Sequence, residues 1–267
     1  MNRKTGNLPF SWDGKVSLCL KENHIDEALG AYKAGEFLSL IKKWAGGLDG
    51  KRILKTDLRE EAFGQDQILF SLPSENVEVC AIDISYNITK SASERKDLLG
   101  FGQKYICSDV RRLPFRDGAF DIILSTSTLD HFVSDADLLE ALKELTRVMK
   151  KEGLFIATFN NQMNINYWFI LTLGRLMRLI SYPTRFYTER RLKEICSSAG
   201  LVILDREAVV HIISPVNTVL LILRRFLKKD AVAAIANKFT LLARYFGRRR
   251  TKFLTAWFLA LKLQREE

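Results

Sequence analysis

The chain has 267 residues with a formal net charge of +10, and 47% of the residues are hydrophobic and 27% charged. This size and balance suit one large domain with a full hydrophobic core. The charge is uneven, because residues 210–267 hold 12 Lys and Arg against 3 acids, which argues against a uniformly basic nucleic-acid-binding protein. Four scattered cysteines without a C-x-x-C pair argue against a disulfide or zinc site and predict a reducing compartment; we expect no metal.

The middle of the chain alternates short apolar runs with helical periodicity. This alternation is typical of parallel strands joined by crossover helices, and strands buried on both faces read as continuous apolar runs. The predicted elements are a helix over 25–44, a strand over 51–57, a helix over 65–72, a strand over 77–83, a helix over 87–99, strands over 104–108 and 119–125, a helix over 135–150, a strand over 154–159, a helix over 188–199, and strands over 201–208 and 255–263. We expect no signal peptide, since residues 1–13 are polar, and no apolar run reaches the ~18–20 residues of a bilayer span.

Acids stand at the ends of two successive predicted strands. Asp83 ends Val77–Asp83, and Asp109 follows the next strand. Ligands of such sheets bind outside the carboxyl ends of the strands, where a carboxylate can accept hydrogen bonds from ribose hydroxyls. A nucleoside site is therefore one interpretation; the other is that each aspartate only caps the turn after its strand.

Five strings, in order and spacing, carry a resemblance to a known family. They are Ala81–Ser85, Ser108–Phe115, Phe120–Ser125, Leu129–Phe132 and Glu144–Gly153. This stretch resembles the class I S-adenosylmethionine-dependent methyltransferases, in particular the small-molecule group that includes the quinone-biosynthesis methyltransferases. The resemblance covers roughly residues 48–159, and 187–205 more loosely.

The resemblance implies an α/β, Rossmann-like doubly wound sheet of seven mostly parallel strands with an antiparallel last strand. We expect a single domain whose core is about 25–160, 184–209 and 251–265, with insertions at 160–183 and 210–250. S-adenosyl-L-methionine is the implied cofactor. The implied contacts are Asp83 at the ribose, Asp109 with Val110 at the adenine, and Thr56, Asp57 and Ser125 at the methionine end. Ile84, next to Asp83, is a further implied cofactor contact.

The first turn departs from the family pattern, which has an acid just after the first strand and then a glycine-rich turn. Here Lys55 stands where the acid normally would, and Gly64 is the only glycine nearby. Two interpretations are open. The turn is rebuilt, so that Asp57 accepts the cofactor's amino group while Lys55 and Thr56 contact its carboxylate; or the cofactor site is lost in an inherited fold.

His131 is the candidate catalytic base. It follows the fourth strand, on the side of the sheet where the reaction takes place, and histidine titrates near neutral pH. The alternative is a structural hydrogen bond that shapes the pocket.

Both insertions are unusually apolar. Residues 160–183 could form a lid, a pocket wall for a lipid-like acceptor or a membrane-contacting helix. Residues 210–250 mix apolar and basic side chains, which suits either an anionic membrane surface or a packed helical hairpin with a solvated basic edge. We expect a cytoplasmic protein, peripheral at the inner face of the membrane in the first case.

The sequence thus predicts methyl transfer from S-adenosylmethionine to a small-molecule or lipid-linked acceptor. One rival is a non-catalytic, methyltransferase-like binding or scaffold protein, motivated by the missing glycines. A second rival is an RNA methyltransferase that uses the basic tail. A NAD-dependent dehydrogenase is disfavoured, because no G-x-G-x-x-G follows the first strand.

Overall fold

A computed structural model describes residues 27–63, 67–72, 76–126, 128–165, 185–211 and 213–266. Its strands are β1 (Arg52–Lys55), β2 (Glu78–Asp83), β3 (Lys104–Cys107), β4 (Phe120–Thr126), β5 (Met149–Asn160), β6 (Leu201–His211) and β7 (Ala256–Arg265). Its helices are α1 (Glu27–Ala45), α2 (Arg59–Phe63), α3 (Tyr86–Leu98), α4 (Asp135–Val148), α5 (Glu189–Ser198), α6 (Ile213–Leu223), α7 (Lys229–Gly247) and α8 (Lys252–Thr255).

The seven strands form one sheet in the order β3-β2-β1-β4-β5-β7-β6. The first five strands in this order, β3 to β5, pair in parallel with their neighbours. β7 runs antiparallel to both β5 and β6. The predicted fold class, a mostly parallel sheet with an antiparallel last strand, is confirmed.

Both faces of the sheet are covered, as the continuous apolar runs predict. Along β1, Ile53 packs in a cluster with residues of α1 and α3, whereas Leu54 packs with residues of α4 and α5 on the other face. A third, smaller cluster joins α1, α6 and α7. Each face of the sheet is thereby sealed, and the carboxyl edge of the strands is left to form a site.

Serine and threonine start three of the helices, and this fixes the loops that leave the carboxyl edge. Ser85, Ser134 and Thr188 each accept a hydrogen bond from a backbone N–H of the first turn of α3, α4 and α5, respectively. Such caps satisfy amide groups that lack partners inside the helix.

The predicted helix over 65–72 is wrong. In the described part of this crossover, residues 59–63 and 67–72, the structure has instead the short α2 and a 3₁₀ turn at Leu69–Ser71. The reason is that Glu61, which the hydrophobic pattern reads as a surface residue, is fully buried and anchors α2 in the interior.

Two strands are longer than predicted. β5 already begins at Met149, and β6 continues to His211, because its last residues pair with β7 (Val209 with Phe258, His211 with Ala256). The insertion predicted at 210–250 therefore consists of α6 and α7, which follow this strand. Most of the other predicted insertion, 166–184, lies outside the described residues, as do residues 1–26.

Candidate active site

The carboxyl ends of β1, β2 and β4 lie side by side. Lys55, at the end of β1, is in register with Ala81 of β2 and Leu124 of β4. The strand order reverses here, since β1 lies between β2 and β4, and ligands of open α/β sheets bind at such a switch point. The sequence-predicted residues Thr56, Asp57, Asp83 and Ser125 therefore meet at one edge.

Asp83 lies at the centre of this edge and is 8% exposed. Its carboxylate accepts hydrogen bonds from the backbone N–H groups of Ser85 (2.9 Å) and Leu58 (3.1 Å). Burial raises the pKa of Asp83 to about 6, although these two hydrogen bonds and Lys55 act in the opposite direction. Ile84 follows Asp83 directly and is exposed. Each carboxylate oxygen has a further lone pair with which it can accept a ligand hydroxyl.

Asp109 lies one strand further out, after β3, and is paired with Arg111. The two side chains make contacts of 3.1, 3.1 and 2.7 Å, and Arg111 also bonds to Asp137 at 2.8 Å. Although burial acts the other way, Arg111 lowers the pKa of the Asp109 carboxyl. Val110 is buried beside it. Asp109 is thus a charged, oriented acceptor that already has one strong partner.

The first turn is built around a buried lysine in place of glycines. The Nζ atom of Lys55 donates to the backbone carbonyl of Asp57 (2.8 Å) and to Oε2 of Glu61 (3.0 Å), and it lies 3.0 Å from Oδ1 of Asp57. Burial alone would lower the pKa of Lys55, but Asp57 and Glu61 raise it above its ordinary value. The lysine has no exposed surface and all three of its donors are engaged. The predicted contact of Lys55 with a cofactor carboxylate is therefore wrong.

Both carboxylate oxygens of Asp57 have a partner, but the side chain remains partly exposed to solvent. Its Oδ1 faces Lys55, its Oδ2 accepts from the Thr126 hydroxyl (3.1 Å), and its side chain is 15% exposed. Burial raises the pKa of Asp57, Lys55 opposes this, and the adjacent Glu60 adds to it. The carboxylate is thus fixed in place at the rim of the edge.

Three hydroxyl groups lie together between the ends of β1 and β4. The Thr56 hydroxyl lies 2.9 Å from the Ser125 hydroxyl and 2.9 Å from the Thr128 hydroxyl. Each hydroxyl can donate once and accept twice, so the group can still bind a polar ligand atom. Sequence reasoning missed Thr126 and Thr128, although their place just after the predicted fourth strand was a usable signal.

The three carboxylates of Asp57, Glu60 and Glu61 are close enough to hold a metal ion, with oxygens within 4.8 Å of one another. The ammonium of Lys55 lies 3.0 Å from two of them and supplies the balancing positive charge. The absence of a metal site stays a prediction, and Lys55 is the cation that the structure places at this cluster.

His131 lies across the edge on a 3₁₀ turn after β4, with its side chain 27% exposed. Its Nε2 is 4.0 Å from Oδ1 of Asp130, a fully buried acid. Asp130 in turn accepts hydrogen bonds from the side-chain amide and the backbone N–H (3.3 Å) of Asn160, at the end of β5. The buried Asp130 and Asn160 were not assigned from the sequence, although both follow the carboxyl ends of predicted strands.

Tyr187 lies on the same side, packed edge-to-face on Phe159 with ring centroids 5.6 Å apart. Its hydroxyl is buried without a hydrogen-bond partner among the described residues, and burial raises its pKa to about 12. A buried donor without a partner is costly, so this hydroxyl is a candidate contact for a polar group of a bound acceptor.

Comparison with known proteins indicates the family of the domain that carries this edge. Residues 60–157 match a family model described as a methyltransferase domain. Residues 60–157 therefore carry a methyltransferase domain, similar to those of S-adenosylmethionine-dependent methyltransferases. Its strand order and the acid at the end of β2 agree with that assignment, and the matches imply S-adenosylmethionine as the cofactor.

Relatives of the methyltransferase domain differ in what their names say they act on. A malonyl-[acyl-carrier protein] O-methyltransferase of Marinomonas sp. is 36% identical over 28% of this chain and 27% of its own length. A ubiquinone biosynthesis O-methyltransferase of Parvibaculum lavamentivorans is 28% identical over 58% of this chain and 63% of its own length. The chain spans about a third or less of the length of the first three curated relatives it matches (31%, 12% and 27%).

A solved structure supports the fold of the methyltransferase domain. A SAM-dependent methyltransferase from Aquifex aeolicus superposes with a TM-score of 0.55 at 19% identity, covering 75% of this chain and 94% of that one. At this identity the likeness extends to the fold, and the acceptor has to be argued from the residues of the site.

Proposed function

We propose that the chain binds S-adenosylmethionine at the carboxyl edge of β1, β2 and β4 and transfers its methyl group to a small-molecule or lipid-linked acceptor. The observation that carries this proposal is Asp83. It is an acid at the end of β2, buried and oriented by two backbone amides, beside the switch point of the sheet. Such a carboxylate is suited to a pair of ribose hydroxyls.

The remaining cofactor contacts are proposed from the position of each residue and from its remaining capacity to form hydrogen bonds. Asp109, with Val110 and Ile84, would border the adenine, because Asp109 lies one strand further out. Thr56 and Ser125, with the Thr128 hydroxyl, would border the methionine end, where Asp57 would accept the amino group. When bound, S-adenosylmethionine supplies an electrophilic methyl group; the protein's part is to position acceptor and donor for an in-line displacement.

His131 is proposed as the base that takes a proton from the acceptor. Its imidazole is partly exposed at the edge, with Nε2 4.0 Å from Oδ1 of the buried Asp130. Asp130 is itself anchored by Asn160 and so orients the loop that carries His131.

A lipid-linked acceptor is supported by the surface of α6 and α7. The described residues include no helix long and apolar enough to cross a bilayer. The face of α7 opposite its buried stripe nevertheless exposes Leu241 (64%) and Tyr245 (50%), and Phe226, in the turn before α7, is 79% exposed. Exposed lysines and arginines surround these residues. We propose that this surface rests on the anionic inner face of the cytoplasmic membrane, since apolar helices with basic edges lie in that plane.

The test of the cofactor site is calorimetric titration with S-adenosylmethionine and S-adenosylhomocysteine. We expect wild-type protein to bind both and Asp83→Ala to lose binding. Asp97→Ala is the matched control, because Asp97 is an acid on the exposed surface of α3, and this variant should bind as the wild type does. No binding to well-folded wild-type protein would overturn the proposal.

The non-catalytic rival has one specific observation in its favour, the first turn. Lys55 and Glu61 fill the interior where the family has a flexible glycine turn. This rival predicts no cofactor binding, so the same titration decides between the two functions.

A further inference from the structure

The geometry points to Lys55 as a positioning residue for cofactor binding: it fixes the Asp57 carboxylate that receives the α-amino group of the cofactor. This inference rests on the proposed function, since it assumes that S-adenosylmethionine binds at this edge. In this chain a buried ion pair would do what a glycine-rich turn does in the family pattern. Lys55 itself does not touch the cofactor, because it has no exposed surface.

Lys55 is held in place from two sides. Its backbone lies in β1 between β2 and β4. Its Nζ is bound to Glu61, which has no exposed surface either, and the second oxygen of Glu61 accepts from the backbone N–H of Leu69 at 3.2 Å. The ammonium is therefore anchored from β1 on one side and from α2 and the following 3₁₀ turn on the other.

Lys55 contacts both the backbone and the side chain of Asp57. Its Nζ lies 2.8 Å from the Asp57 carbonyl and 3.0 Å from Oδ1. Thr126 donates to Oδ2 at 3.1 Å, and Glu60 also hydrogen-bonds to the Asp57 side chain, so this side chain has one orientation. A carboxylate has four acceptor sites on its two oxygens, so Asp57 can still accept from an ammonium group at the rim.

The same arrangement links Asp57 to Asp83, the carboxylate proposed to bind the ribose. Leu58, the next residue, donates its backbone N–H to Oδ2 of Asp83 at 3.1 Å. Lys55 thus sets the position of a turn whose next amide group holds Asp83. Glycine is the residue that lets a backbone approach a ligand most closely, and residues 55–63 contain none, so a fixed side chain is the contact we expect for the amino group.

The experiment compares two ligands that differ only at the methionine end. S-adenosylhomocysteine carries the α-amino and carboxylate groups, whereas 5′-methylthioadenosine keeps the nucleoside and thioether but lacks both. The variant is Lys55→Met with Glu61→Gln, which removes both charges of the fully buried pair and leaves Asp57 with Thr126 as its partner at the rim. Lys33→Met is the matched control, because it also removes a lysine of this cluster, one whose Nζ pairs with Glu60 at 3.4 Å.

We expect the double variant to lose affinity for S-adenosylhomocysteine by on the order of tenfold, since a charge-assisted hydrogen bond loses its geometry. Its affinity for 5′-methylthioadenosine should stay within about twofold, because the contacts to the nucleoside are kept. Asp57→Asn should show the same selective loss. Adding the double variant to Asp57→Asn should then cost little more, since Lys55 acts through Asp57.

Four outcomes overturn the inference: equal loss for both ligands, no loss for either, a further full loss in the Asp57→Asn background, or the same selective loss in Lys33→Met. If the double variant fails to fold, Glu61→Gln alone takes its place, because it keeps Lys55 and weakens the pair that anchors it. We then expect a smaller selective loss of affinity for S-adenosylhomocysteine. Equal affinity changes for the two ligands would overturn the inference. Wild-type protein that binds neither ligand would instead contradict the proposed function itself.

Discussion

At the scale of single residues, the ionisation of Asp83 is tied to cofactor binding. The carboxylate form accepts two ribose hydroxyls, whereas the protonated form turns one oxygen into a donor. Burial raises the pKa of Asp83 to about 6, with Lys55 lowering it and Glu60 raising it among the groups that face it. The group is thus mostly ionised at neutral pH and loses its charge just below.

The expected outcome is that affinity for S-adenosylhomocysteine falls as the pH drops through 6. At pH 5 roughly one molecule in ten would carry an ionised Asp83, so the affinity should be about tenfold lower than at pH 7.5. Calorimetry across this range checks it. Asp83→Asn should bind weakly at every pH, without this step, and a step that persists in Asp83→Asn would assign the titration to another group.

The same raised pKa has a consequence for stability. A carboxyl whose pKa is higher in the folded than in the unfolded chain stabilises the fold below its unfolded pKa, and this contribution is lost as the pH rises through about 6. Asp83 therefore costs stability at neutral pH, which is consistent with a residue kept for binding and not for folding.

At the scale of elements, the turn from β1 to α2 depends on the Lys55–Glu61 pair. Removing one partner of a buried ion pair leaves the other without compensation, so Lys55→Met should lower the free energy of unfolding by about 3–5 kcal/mol. Lys55→Met with Glu61→Gln should recover part of that loss, because Glu61 no longer carries an uncompensated charge and its amide oxygen can still accept from Leu69 N–H, whereas Asp57 still lacks its Lys55 partner. Urea denaturation monitored by circular dichroism measures both variants. A double variant as unstable as the single one would contradict the pairing.

This turn also shows where prediction from the sequence stops. The strands were predictable because residues such as Ile53 and Leu54 are apolar on both faces of a buried sheet. The helix over 65–72 was wrong because Glu61 reads as a surface residue, and only the buried Lys55 nearby makes its burial possible. Asp57 and Thr56 could be proposed as cofactor contacts from their place just after the first strand. The pairing of Lys55 with Glu61 could not be predicted in that way. A pairing between two charged residues six positions apart leaves no periodic pattern.

At the scale of the whole molecule, the basic residues concentrated in residues 210–267 lie together with exposed apolar side chains on one surface. Residues 210–250 were recognisable as apolar and basic, but which side chains face solvent depends on how α7 packs. Its stripe of Val232, Ala236, Thr240 and Ala243 is turned inward, and this places Leu241 and Tyr245 outward. Arg249 lies over the Tyr245 ring, 4.2 Å from its centroid, so the basic and the apolar groups share one face. Two copies of so basic a face would repel each other, which favours an anionic partner.

The membrane prediction follows from that face. α7 is about 28 Å long and would lie in the plane of the bilayer, with Leu241, Tyr245 and Phe226 dipping into it. We expect the protein to sediment with vesicles that contain phosphatidylglycerol and not with pure phosphatidylcholine. Changing Arg248, Arg249 and Arg250 to Gln should lower the partition coefficient by on the order of 100-fold, at about 1 kcal/mol for each basic residue, and added salt should act in the same direction.

The apolar part of the surface is tested by Leu241→Ser with Tyr245→Ser, which should weaken vesicle binding while the charge is unchanged. Leu98→Ser is the matched control, since Leu98 is an equally prominent leucine, 87% exposed on α3, away from this face. If the two leucine sites behave alike, the α7 face does not make the contact. If vesicles are ignored and RNA is bound in a salt-sensitive way, the basic face serves nucleic acid, and the acceptor to search for becomes an RNA.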